Sequence, residues 1–317
     1  MVTTALKATK EIPQYTNNHY AVVDLGSNSF HLLIVQQQQS GIIVVDKIKT
    51  KVRLASGLDH QNKLSDSIMH EGLHCLKNFA LYLASIPNKN IKIVATATLR
   101  LATNRDDFLN QANEILPLPI KLLSGTQEAE TIFKGVSHTC DSLKKRIVFD
   151  IGGASTEIIV GSGFEAKHCV SLNIGCVSFN NAFFNDDLLS SDNFNNAITA
   201  AKHEITPIAA QFKSFGWDIA MGSSGTMQAI MEILKYRERE LVITMKCLSE
   251  LKQEMLNFHS IIGIRFEGLR EDRIAVLASG LSILIALFEV LSIQSLRLSK
   301  GALREGLLFS MLKLPKK

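Results

Sequence analysis

Paired cysteines are missing from this chain. Cys75, Cys140, Cys169, Cys176 and Cys247 make an odd number, and no two stand in a CxxC spacing. That excludes a disulfide framework and a cysteine zinc site, and it predicts small buried thiols in a reducing cytoplasm. A dominant charge is also missing. Thirty-four Lys and Arg against 30 Asp and Glu leave a net charge of +4, with no dense basic cluster, so a nucleic-acid polymer is not an expected partner. Residues 1–18 lack the basic-then-apolar pattern of a leader; being polar, they are expected to be disordered. The closing Lys313-Leu314-Pro315-Lys316-Lys317 reads as a solvated tail. Long hydrophobic runs are nearly absent, and the exception is Ile274 to Ile293. Glu289, Gly280 and three serines interrupt it, and charged residues from Arg270 to Arg273 lead into it. A fully buried helix of an α/β core is therefore expected there, and no membrane partner.

What is present is a globular composition, with 46% hydrophobic and 20% charged residues over 317, long enough for two domains each with a core. One pattern occurs twice. Tyr20-Ala21-Val22-Val23-Asp24-Leu25-Gly26-Ser27-Asn28-Ser29 is an apolar run that ends in a carboxylate and a small-residue turn, followed by the apolar Leu32 to Val35. Arg146-Ile147-Val148-Phe149-Asp150-Ile151-Gly152-Gly153-Ala154-Ser155-Thr156-Glu157 repeats it, followed by Ile158 to Gly161. Each copy reads as strand, tight turn and returning strand. Backbone N–H groups in such turns can converge on phosphate oxygens because no Cβ holds the anion away. Two copies predict a duplicated domain whose turns face each other across a cleft.

Around these copies, strands and helices alternate, which predicts an α/β architecture. Ile42 to Val52 reads as one or two strands, and Arg53 to Leu58 as a loop. Ser65 is a candidate N-cap for a helix through Ser85, with Ile68, Leu73, Leu76, Phe79 and Leu83 on one stripe. Ile91 to Ala97 reads as a strand, Asp106 to Leu116 as a helix, and Ile120 to Leu123 as a short strand before a helix opened by Ser124-Gly125-Thr126. Strands from Arg146 to about Cys176 precede an Asn-rich stretch and a helix ending near Phe215. A strand at Asp218 to Ala220 runs into Gly222-Ser223-Ser224-Gly225-Thr226, whose turn into a helix N-terminus is an anion site by its free N–H groups and dipole. Residues 244–317 read as helical apart from a strand at Ser295 to Leu298.

Four carboxylates stand out. Asp24 and Asp150 end strands at Gly turns, where their oxygens can hold a hard cation such as Mg²⁺. Glu157 follows the second turn and can orient a water. Glu128 lies in the first turn of the helix after Ser124, where the dipole alone favours a carboxylate; beside a phosphate site it is also a candidate base. Arg100 can make a bidentate phosphate contact, or be an ordinary surface residue.

Several stretches together resemble the exopolyphosphatase / guanosine pentaphosphate phosphohydrolase (Ppx/GppA) family of the actin-like and sugar-kinase ATPase superfamily. They are DLGSNSFHLLIV at 24–35, TATLRLATN at 96–104, SGTQEAETIFKGV at 124–136, VFDIGGASTEIIVG at 148–161, SLNIGCVSF at 171–179, GSSGT at 222–226 and GALREGLL at 301–308. The resemblance implies two duplicated actin-like (ribonuclease H-like) domains with an interdomain cleft. The first spans 19–126 and the second 127–301, and a closing helix over 302–317 packs back on the first. It implies Mg²⁺-dependent release of terminal phosphate from inorganic polyphosphate or guanosine pentaphosphate, and a homodimer. It further implies that Glu128 activates water, that Glu157 is a second catalytic carboxylate, and that Asp24 and Asp150 are the metal-linked aspartates. Ser27, Asn28, Arg100, Gly152, Gly153, Ala154, Ser155, Gly225 and Thr226 fall at phosphate-binding positions. Ala154 replaces a usual third Gly, which is expected to narrow the phosphate loop, and Thr131 replaces a usual aliphatic residue. Longer members of the family carry further helical domains that help to bind long polymers, so the expected chain-length preference stays open. The rival readings are an ATP-dependent kinase of the same superfamily and a non-catalytic sensor that binds guanosine tetra- or pentaphosphate.

Overall fold

The computed structural model describes residues 14–39 and 41–312; the expectations for residues 1–13 and for the tail 313–317 lie outside them. The chain runs β1 (His19–Leu25), β2 (Ser29–Gln38), β3 (Gly41–Lys51), α1 (Asp66–Leu83), β4 (Ile91–Ala95), α2 (Ala97–Leu101), α3 (Arg105–Ile115), β5 (Lys121–Leu122) and α4 (Gly125–Thr139). It continues through β6 (Arg146–Ile151), β7 (Thr156–Ser162), β8 (Glu165–Leu172), α5 (Cys176–Phe183), α6 (Ser191–Phe215), β9 (Ile219–Ser223), α7 (Gly225–Tyr236), α8 (Met245–Phe258), α9 (Glu271–Leu291), β10 (Arg297–Leu298) and α10 (Leu303–Phe309).

The duplication is visible in the topology. One five-stranded sheet has the order β3-β2-β1-β4-β5, and the other β8-β7-β6-β9-β10, the same order strand for strand. In each sheet the first three strands form an antiparallel meander, and the last two join in parallel. Each second hairpin carries a register shift ten residues past its aspartate, at Ile34/Val35 and at Val160/Gly161. Both sheets are covered on two faces, so their inner strands are nearly continuous apolar runs. By the two-residue alternation of a strand, Ala21, Val23 and Leu25 pack under α1 and α3, while Val22 faces the other way. Likewise Ile147, Phe149 and Ile151 join a core with α6, α7 and α9, and Val148 faces away from it. The opposite faces share one layer between the sheets. There Ala129, Ile132, Phe133 and Val136 of α4 and Leu303, Leu307 and Leu308 of α10 meet Val22, Val94, Val148 and Ile159.

Local chemistry explains most boundaries. Ser124 caps α4 with a full capping box, its side chain accepting from the Gln127 N–H while Gln127 accepts from the Ser124 N–H. Gly216, at φ +68°, ends α6 where a side chain would be strained. Helix α9 is the one described helix long and apolar enough to cross a membrane, but 72% of its apolar stretch is buried inside the protein. All five cysteines are free thiols.

Four details correct the sequence reading. Residues 14–18 are held in place: Tyr15 is buried, and its hydroxyl donates to Asp46 Oδ2 at 2.7 Å. The fourth strand stops at Ala95, and Ala97 already belongs to α2. Cys176 opens α5, an element that the Asn-rich stretch hides. The methyl of Ala154 is buried and is not part of the cleft wall, so it does not narrow the phosphate loop.

Candidate functional site

A cleft of about 480 Å³ opens between the two sheets. Asp24, Ser27, Asn28, Glu128, Asp150, Gly152, Gly153, Ser155, Glu157 and Gly225 all line it. The two hairpin turns touch: a Cβ added to Gly153 would come within 2.7 Å of the Ser27 Cβ. Only a residue without a side chain allows this approach. Gly152 closes its own turn by donating to Ser155 O at 2.8 Å. The Gly152 and Gly153 carbonyls accept the first N–H groups of α5, from Cys176 at 2.9 Å and Val177 at 2.8 Å. The phosphate-loop candidate is thereby fixed to a helix.

The carboxylates of the floor share a low-dielectric site, and burial raises all four. Asp24 and Asp150 are each pushed up to about 6. Arg304 opposes the rise at both, and Asp150 also accepts from the Ser223 hydroxyl at 2.6 Å. Glu128, 6% exposed, is pushed up to about 7 despite its ion pair with Arg100, whose Nη1 donates to Oε2 at 2.9 Å. Glu157, 1% exposed, is held well above the carboxylate range by burial, then by the neighbouring Glu128 and Asp150. Its Oε1 accepts two hydroxyls, from Ser155 and Ser171, both at 2.7 Å. Acids with affinities pushed toward neutrality in one cleft are a functional-site signature.

Three expected site residues sit elsewhere. Arg100 stands beside Glu128 and is not among the residues that line the cleft; it also donates to Leu123 O and Ser171 Oγ. Ala154 lies beneath the turn. Thr226 is buried against α9, where a Cβ on Gly280 would meet its hydroxyl oxygen at 2.5 Å.

The cleft also contains groups that the sequence did not single out. Arg273 of α9 lays its guanidinium over Gly225, where an added Cβ would fall 2.1 Å from the guanidinium carbon. Lys47 and Lys49 of β3, Arg270, Lys300 and Arg304 add further positive charge to the lining. Arg304 lay in GALREGLL, and Arg270 and Arg273 were noted only as charges leading into the long apolar run. The nine histidines read as forming no HxxxH or HExxH pair, and that reading is wrong: His70-Glu71-Gly72-Leu73-His74 on α1 has the spacing of a helical zinc motif. His70, Glu71 and His74 are exposed, and no group of three or more metal-binding side chains forms among the described residues. A second depression of about 380 Å³ lies among α6, α8 and α9; its one carboxylate, Glu289, pairs with Lys202.

Known proteins share this chain's sequence and fold. The family model of the Ppx/GppA phosphatases matches residues 33–314. A guanosine-5'-triphosphate,3'-diphosphate pyrophosphatase of Vibrio cholerae is 49% identical over 292 residues, and one of Pseudoalteromonas translucida is 50% identical over 295. These alignments cover 92% and 93% of this chain, which spans 59% of each relative's length. Among solved structures, an exopolyphosphatase of Cytophaga hutchinsonii superposes with a TM-score of 0.84 at 20% identity, covering 92% of this chain and 97% of that one. The Ppx/GppA family member of Aquifex aeolicus gives 0.76 at 22% identity, covering 92% and 96%. At those identities the structures speak for the fold, and the sequence matches speak for descent. The chain belongs to the Ppx/GppA phosphatase family.

Proposed function

We propose that this chain is the catalytic pair of domains of a phosphohydrolase that removes the terminal phosphate of guanosine pentaphosphate, with inorganic polyphosphate as the second substrate class. The convergence of four raised carboxylates on two touching Gly turns carries the reading. The names of the relatives at about half identity favour the nucleotide.

Asp24 and Asp150 offer hard oxygen donors at two equivalent strand ends, which fits Mg²⁺. This ion takes one or two carboxylates and completes its shell with water and phosphate oxygens. When bound, Mg²⁺ neutralises phosphate charge and polarises the terminal phosphoryl group. The chain's own residues do the rest. Main-chain N–H groups of the Ser27-Asn28 turn, of Gly153 to Ser155 and of Gly225 hold the phosphate oxygens. Glu128 accepts a proton from the attacking water, whose oxygen bonds to the terminal phosphorus as the bridging P–O bond breaks. Arg100 aims the Glu128 carboxylate and moderates its proton affinity. Glu157, fixed by two hydroxyls, orients the water.

The test is phosphate release with Mg²⁺ from guanosine pentaphosphate, short polyphosphate and long polyphosphate side by side, with an EDTA control. Release that EDTA stops supports the reading, and the ranking of rates assigns the substrate. Tight nucleotide binding with no release from any of the three would make the chain a sensor instead.

A further inference from the structure

Arg304 lines the cleft without a carboxylate in ion-pair contact. Its Nη1 donates to His31 Nδ1 at 2.7 Å, and no carboxylate among the described residues forms an ion pair with it. The adjacent Glu305 is occupied at the helix start, accepting from the Ala302 N–H at 2.9 Å. The anchoring of both partners is firm. Arg304 follows Leu303, which is buried in the layer between the sheets. His31 lies directly across from Asp24 on β1 and from Lys49 on β3, so the three side chains project from one face of the sheet.

The choice of acceptor matters. A carboxylate holding Arg304 would cancel most of its charge, whereas a neutral imidazole fixes its direction and leaves the charge intact. His31 Nδ1 must keep its lone pair to accept from a guanidinium that can only donate, so the imidazole in this contact carries no charge on that nitrogen. The charge of Arg304 reaches both Asp24 and Asp150, so the guanidinium lies toward the place where a phosphate chain would meet the two aspartates. A guanidinium with unoccupied donors suits paired phosphate oxygens better than an ammonium does.

Building on the phosphohydrolase reading, we infer that Arg304 contacts the phosphate chain of the substrate and that His31 is the positioning residue that aims it. The experiment uses tripolyphosphate in two ways. Phosphate release with Mg²⁺ is measured for each variant, and calorimetric binding is measured in a Glu128→Gln background that stops turnover. Arg304→Gln is expected to weaken binding and raise KM by about tenfold to a hundredfold, the effect of one or two charge-assisted bonds, with Arg304→Lys between it and the parent. His31→Gln keeps a neutral acceptor and stays near the parent. His31→Glu keeps an acceptor but cancels the charge, so it weakens binding as much as Arg304→Gln does. A role as a mere tie between α10 and the sheet predicts instead that Arg304→Gln lowers stability but binds tripolyphosphate normally. Normal binding in His31→Glu, or binding within about twofold of the parent in Arg304→Gln, overturns the inference while the hydrolase reading stands. If Arg304→Gln fails to fold, Arg304→Lys decides: binding within about twofold of the parent overturns the inference, and weaker binding supports it. An unsubstituted chain that neither binds nor hydrolyses tripolyphosphate or guanosine pentaphosphate overturns the hydrolase reading, and this one with it.

Discussion

Glu128 is under two opposed influences. Burial favours its neutral form and Arg100 favours its charged form, and burial prevails, so the group titrates at about 7. A base works only when ionised. Below that value the proton is already in place, and above it the carboxylate is free to accept one. The free-enzyme kcat/KM is therefore expected to rise with pH through about 7 and then level off. Glu128→Gln should lower turnover by about 10²- to 10⁴-fold, abolish the pH limb and leave substrate binding largely intact. Near-normal turnover in this variant would remove Glu128 from the role of base. Ser224 raises a different issue at the same scale. It lines the cleft at φ +98°, ψ 170°, a region that only glycine adopts without cost, and its hydroxyl reaches nothing stronger than Met227 Sδ at 3.4 Å. Ser224→Gly should raise stability by about 1 kcal/mol, read as a higher urea midpoint. A lower midpoint would show that the hydroxyl is needed more than the strain is costly.

At the scale of elements, the site depends on how closely α4 and α10 approach, because one carries Glu128 and the other Arg304. A Cβ on Gly306 would fall 1.9 Å from Thr131 O, and one on Gly135 2.0 Å from Ala302 O. Backbone cannot yield there as a flexible side chain would. Gly306→Ala is expected to cost at least about 1–3 kcal/mol in chemical denaturation and to lower activity by shifting Arg304 away from the aspartates. The same layer shows what the sequence could and could not reveal. The turns after Asp24 and Asp150 were legible because apolar run, acid and small residues lie side by side in the chain. The Ser124 cap of α4 was legible for the same reason. Helices α2 and α5 were not. Thr96 gives α2 no side-chain cap, and Ala97, Thr98 and Leu99 continue the burial of the strand before it. Helix α5 starts where the Gly152 and Gly153 carbonyls receive its N–H groups, partners more than 20 residues away in the chain. Arg100 read as a phosphate ligand because sequence gives residue type and neighbourhood, but not that Glu128 and Ser171 fold against the same guanidinium.

Across the whole molecule, the floor of the cleft is acidic and much of its wall basic, and that arrangement is written into stability as well as catalysis. Asp24 and Asp150 move from the ordinary 3.8 to about 6 on folding, and Glu128 moves from 4.5 to about 7. Glu157 moves the same way. Between these limits the folded chain holds protons that the unfolded chain releases, so stability falls as pH rises through the window. His31 acts in the opposite sense, since it is neutral when folded and takes up a proton below 6.5 when unfolded. Burial holds His138 below its ordinary value as well, so two such protons stand against those of four raised acids. Asp59, Asp186, Glu250 and Asp272 are held below their ordinary values, so their stabilising contribution is complete before the window opens. The thermal midpoint without metal is therefore expected to decline from about pH 4.5 to about pH 7 and to flatten above. The double variant Asp24→Asn, Asp150→Asn should lose much of that slope, because neutral amides release no proton on unfolding. Mg²⁺ with phosphate should restore stability most strongly above pH 7, where the carboxylates are ionised and ready to bind a cation. A midpoint that rises across this range would mean that the four acids are not buried together on the cleft floor.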